Sequence, residues 1–146
     1  MRLPQELKKN VLSELEYIIK KMNEEQDIAK KLFFYSAVHG TLERAVRYHA
    51  DKELLIMHLL AQTSYATIND RVNRFKAGDT IVPIELDLLN RLIEGVIELK
   101  EAIENDQVVY PAAEKIMEIT YAVTGPGFYT RSYLDYVEAQ QHRQKE

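Results

Sequence analysis

The chain contains no cysteine and no tryptophan, and only five glycines and four prolines among 146 residues. Without cysteine there is no disulfide, no zinc site built on thiolates and no thiol nucleophile. That absence fits a reducing, intracellular compartment. Long apolar runs are missing too. The longest mostly apolar stretch, Leu54 to Ala61, is interrupted by His58 and falls well short of the roughly 20 residues that span a bilayer. The N-terminus, Met1-Arg2-Leu3-Pro4-Gln5-Glu6, turns polar at once and lacks the apolar core of a signal peptide. These absences predict a cytoplasmic protein that does not enter a membrane. Nor is there a strong charge of one sign: the formal net charge is −4, which argues against nucleic acid as a partner.

Apolar residues make up 46% of the chain and charged residues 29%, an ordinary balance for a globular protein. The length corresponds to one domain over 1–146, large enough to bury a core without staples. Nearly everything has helical period. Leu7, Val11, Leu15, Ile18 and Met22 form a first stripe behind Pro4, and Asn23 to Asp27 ends it. Ile28, Leu32, Tyr35, Val38, Leu42 and Val46 form a second, and Leu54, Met57, Ala61, Tyr65, Ile68, Val72 and Phe75 a third. The phases of the second and third differ, so a turn is placed at residues 50–52 with Asp51 as cap. One unbroken helix from Gly40-Thr41 to Ala77 would need its apolar face to migrate by about 100°.

Gly78 to Pro83 reads as a connection, and Leu86, Leu89, Ile93, Val96 and Ile103 as a fourth stripe. Asn105-Asp106-Gln107 is the next turn. A fifth helix begins near Pro111, carries Ala112, Ile116, Ile119 and Val123, and stops at Gly125-Pro126-Gly127. A last helix runs from Tyr129 to about Gln141, and residues 141–146 form a frayed tail. The fold class is all-α: an antiparallel bundle of about four long helices with two shorter ones alongside.

His39, His49 and His58 fall within twenty residues, on the apolar sides of the second and third stripes. A hairpin turning near residue 51 predicts the pairs Glu43–His58 and His49–Glu53 along one seam, the kind of arrangement from which bundle metal sites are made. The Glu-x-x-His tetrad of ferritin-like bundles is absent, as are His-x-x-x-His and His-Glu-x-x-His. The alternative is that each histidine is a core-edge residue bonded to a carboxylate or a carbonyl, with no cofactor bound.

Arg44-Ala45-Val46-Arg47-Tyr48-His49 resembles the active-site spacing of HEPN-type ribonucleases, themselves small helical bundles. There an arginine and a histidine act together on the scissile phosphate, so the resemblance implies Arg44 and His49 as the catalytic pair. It covers six residues early in the chain, and Ala45 stands where the family has a polar residue. Lys20, Lys21, Lys30, Lys31, Arg71, Arg74 and Lys76 gather at one end of the expected bundle among Glu24, Glu25, Asp27 and Asp70, and read as a solvated mixed-charge surface. The runs Phe33-Phe34-Tyr35-Ser36-Ala37-Val38-His39 and Gly125-Pro126-Gly127-Phe128-Tyr129-Thr130-Arg131 resemble small all-helical archaeal proteins of unknown function, and this resemblance transfers no activity.

Of the nine tyrosines, Tyr110, Tyr121, Tyr129, Tyr133 and Tyr136 gather in the last third of the chain, with Tyr129, Tyr133 and Tyr136 on one side of the last helix. Tyrosine is enriched in interface cores, so these three predict a contact between copies, most simply in a homodimer. Three readings follow. The first is a self-associating interaction domain, not an enzyme. The second is a metal- or small-ligand-binding bundle using His39, Glu43, His49, Glu53 and His58. The third is a ribonuclease using Arg44 and His49.

Overall fold

The computed structural model describes residues 1–76, 86–123 and 141–143, with side chains over 1–74, 89–121 and 141–143. Among the described residues five long helices pack together: α1 (Gln5–Glu24), α2 (Ile28–Tyr48), α3 (Lys52–Lys76), α4 (Leu86–Glu104) and α5 (Tyr110–Val123). Residues 141–143 are helical and exposed. The expected last helix otherwise lies outside the described residues, as does the connection from Gly78 to Pro83.

Both ends of α1 and α2 and the start of α3 have local causes. Pro4 takes the N-cap position of α1, where its missing N–H costs nothing. Leu7, Val11, Leu15, Ile18 and Met22 then recur at three- and four-residue spacing and are all buried. The α1 helix stops at the extended Glu25, and the ammonium of Lys31 donates to the Met22 carbonyl at 2.5 Å, neutralising the negative end of the helix. Asp27 starts α2 by accepting from the Lys30 N–H at 3.1 Å. His49 ends it by turning extended. Asp51 Oδ1 then accepts from the N–H groups of Glu53 and Leu54 and starts α3. The turn between the second and third stripes is therefore real, and no single helix runs through Asp51.

The α1 helix lies between α2 and α4, α4 between α1 and α5, α5 between α4 and α3, and α3 between α5 and α2, while α2 also touches α4 across the middle. The helices thus form a closed ring. Consecutive helices alternate in direction, but an odd number cannot alternate all the way round. The ring closes on one parallel pair, α3 and α5. Two bonds show the register: Glu53 to Val109 and, about three turns further along both helices, Ser64 to Thr120, each joining residues 56 apart. On the antiparallel side, α5 comes so close to α4 that a Cβ on Gly95 would lie 2.7 Å from Ile116 Cγ1.

Inside the ring Leu15, Leu32, Leu42, Leu54, Met57, Ile68, Leu89, Val96, Leu99 and Ile116 are fully or almost fully buried. Two expectations need correction. Val46 and Ile28 sit at the edge of the core, because Lys31, Thr41 and Ala45 occupy the buried side of α2 in their place. Lys31, expected on a solvated surface, is 2% exposed. Burial lowers its pKa from the ordinary lysine value, against an opposing pull from Glu25.

Candidate functional site

The hairpin of α2 and α3 brings His39 and His58 together, with ring centroids 5.9 Å apart. His58 Nδ1 lies 3.3 Å from the His39 carbonyl oxygen and donates to it in the Nδ1–H tautomer. His39 Nδ1 is buried without a hydrogen-bond partner among the described residues. Both rings are half-buried at the core edge.

The expected pairs Glu43–His58 and His49–Glu53 do not form. Glu43 accepts from Arg47 one turn along its own helix at 2.7 Å. His49 sits at the C-cap, where the extended backbone no longer projects its side chain along the helix face. Glu53 turns instead to the far side of α3, where Oε1 accepts from the Val109 N–H at 3.0 Å and Oε2 lies 3.4 Å from the Met1 amino group. A buried N–H with no other partner at the start of α5 outcompetes a half-buried imidazole for that carboxylate. Among the described residues, no three side chains of metal-ligating type come together.

Arg44 and His49 are also held apart in role. Arg44 is exposed and gives Nη2 to Glu14 Oε2 of α1 at 2.5 Å. It lines a shallow groove of about 210 Å³ between α1 and α2, with Leu7, Val11 and Ala45 on the apolar side and Asn10, Glu14 and Thr41 among its polar lining. Tyr48, 75% exposed, stands at one end of that groove. His49 is not among the residues that line it.

A polar chain crosses the core. Tyr35 OH donates to Ser64 Oγ at 2.9 Å, Ser64 Oγ meets Thr120 Oγ1 at 2.6 Å, and Thr120 Oγ1 donates to the Ile116 carbonyl at 2.7 Å. Two of these directions are fixed, so Ser64 must donate to Thr120. Burial raises the Tyr35 pKa far above its ordinary value, and the Ser64 bond opposes this only in part. The three residues join α2, α3 and α5 and were not singled out as a group in the sequence, because each falls on a different helix. Arg71 Nε, on α3, is the other buried polar atom without a hydrogen-bond partner among the described residues.

Several large apolar side chains are exposed on α3 and α5: Leu55, Ile56 and Leu59 of α3, and Tyr110 and Met117 of α5, each between 44% and 51% exposed. On α3 these three lie on the side opposite the stripe Leu54, Met57, Ala61 and Ile68, as a rotation of about 100° per residue requires. On α5, Tyr110, Ala113 and Met117 form a second stripe beside the buried one. Tyr129, Tyr133 and Tyr136, the contact expected from the sequence, lie outside the described residues. No helix among the described residues is long and apolar enough to cross a membrane. Comparison with known proteins found no matching family model, no matching curated protein and no matching solved structure.

Proposed function

We propose that this protein works as a self-associating interaction domain and that a second copy covers the outer face of the α3–α5 pair. The observation that carries this is the apolar side of α3 turned away from its own core, Leu55, Ile56 and Leu59, together with the exposed Tyr110 and Met117 of the neighbouring α5. Grouped outward apolar residues of this size mark contact surfaces more often than scattered single ones do. Two-fold closure lets one such face serve as its own complement.

Sedimentation equilibrium at several concentrations tests the reading. The unchanged protein is expected to dimerise, and Ile56→Glu combined with Met117→Glu to be monomeric, since each carboxylate would be desolvated without a partner. Tyr133→Glu in the same series tests the contact expected from the last helix. A monomer at all concentrations for the unchanged chain overturns the proposal.

A further inference from the structure

The groove between α1 and α2 has both a charged and an apolar end, and its shape follows from the side chains that line it. Thr41 and Ala45 are small, so the buried side of α2 leaves room where larger residues would touch α1. The two helices are antiparallel. Glu14, Arg44 and Thr41 therefore stand at one end, and Leu7 and Tyr48 at the other, over Val11 and Ala45. From Thr41 to Tyr48 the length is about 10 Å.

We propose that this groove binds a small monocarboxylate with an apolar tail. A guanidinium carries five N–H donors, and Glu14 occupies Nη2 of Arg44 only. The ion pair holds the guanidinium across the mouth of the groove and leaves its other donors open to a planar acceptor. Thr41, 2% exposed, lines the groove at the same end and adds a hydroxyl there. A carboxylate has the two oxygens needed to accept from both.

A phosphate is disfavoured, because a second negative charge would face Glu14 directly. The tail lies along Leu7, Val11 and Ala45, with the Tyr48 ring at its end. The volume of about 210 Å³ is below the ~300–1,000 Å³ of sites for drug-sized molecules, which limits the tail to a branched aliphatic chain or a single ring.

Amide chemical shifts of the full-length protein during titration with 4-methylpentanoate test the proposal. Saturable shifts at Asn10, Thr41, Arg44 and Ala45 are expected, with much weaker ones from the neutral 4-methylpentanamide and from inorganic phosphate. Arg44→Gln, a change at an exposed position, should weaken 4-methylpentanoate binding about tenfold or more without altering the melting temperature. Four outcomes overturn it: no saturable shift, equal binding of the amide, equal binding by the Arg44→Gln protein, or shifts centred on the α3–α5 face. The last would identify the probe as a ligand of the contact surface.

Discussion

Tyr35, Ser64 and Thr120 form a directed chain whose members are not equivalent. Tyr35 is its terminal donor, so Tyr35→Phe leaves Ser64 still donating to Thr120 and should cost about 0.5–1.5 kcal/mol. Thr120→Val removes the acceptor of a buried hydroxyl and should cost more, about 1–3 kcal/mol. Urea unfolding of both variants checks the order, and a larger loss at Tyr35 would show that the donors run the other way. The chain also carries a pH signature. Burial holds the Tyr35 pKa above its ordinary value of 10.0, so the unfolded chain loses this proton first and stability falls as pH rises past 10. The stability gap between the unchanged protein and Tyr35→Phe should therefore shrink at up to about 1.4 kcal/mol per pH unit, closing within about the first one or two units above pH 10 and reversing beyond. Gly95 makes a second residue-scale case. Alanine there gains about 1 kcal/mol of helix propensity but places a Cβ 2.7 Å from Ile116 Cγ1, an overpacking worth about 1–3 kcal/mol. The expected result of Gly95→Ala is net destabilisation, read from the thermal midpoint. A gain in stability would mean that Ile116 moves aside.

At the scale of elements, the helix boundaries were largely legible because caps and stripes are local. Asp51 follows an out-of-phase pair of stripes, and it caps α3 through two backbone N–H groups. Asp51→Ala should cost about 1 kcal/mol and loosen the hairpin that sets His39 beside His58. A smaller separation of effects is expected at Asp106. It closes α4 in the left-handed conformation with φ 52, while the Gln107 N–H reaches back to the Ala102 carbonyl at 2.8 Å. Its carboxylate also holds Lys8 at 3.1 Å, tying the end of α4 to the start of α1. A β-branched residue there meets the full left-handed penalty, about 1–2 kcal/mol, so Asp106→Val should destabilise clearly more than Asp106→Gly. Equal melting points for the two would show that the turn relaxes. The side-chain pairs across elements were less legible. Glu43 and Glu53 each had a competing partner that spacing along one hairpin does not reveal: Arg47 on the same helix, and the Val109 N–H at the start of α5.

For the whole molecule, the core is continuous through all five helices, so truncation of a central side chain should be felt globally. Leu42→Ala or Ile93→Ala is expected to cost about 2–5 kcal/mol in denaturant unfolding, with the slope unchanged. The closed ring has one joint of a different kind. At the α3–α5 pair two helices run parallel, fastened at one end by Glu53 on Val109 and in the middle by Ser64 on Thr120. The outward apolar residues proposed to meet a second copy belong to the two helices of that joint.

By itself the sequence determined the all-helical class, the order of the elements and most of the buried face of each, since a period of 3.6 and a capping aspartate act within a few residues. Only the tertiary structure decided which helix neighbours which. An odd ring demands a parallel pair that no local pattern announces, and that pairing sends Glu53 to α5 and away from His49. It also decided the burial of Lys31, because the carbonyl that receives its ammonium belongs to the end of the preceding helix. The same holds for the Arg44–Glu14 groove, which exists only where the small residues of α2 face α1. Residues distant in sequence compete for the same buried partners, and that competition is settled by packing.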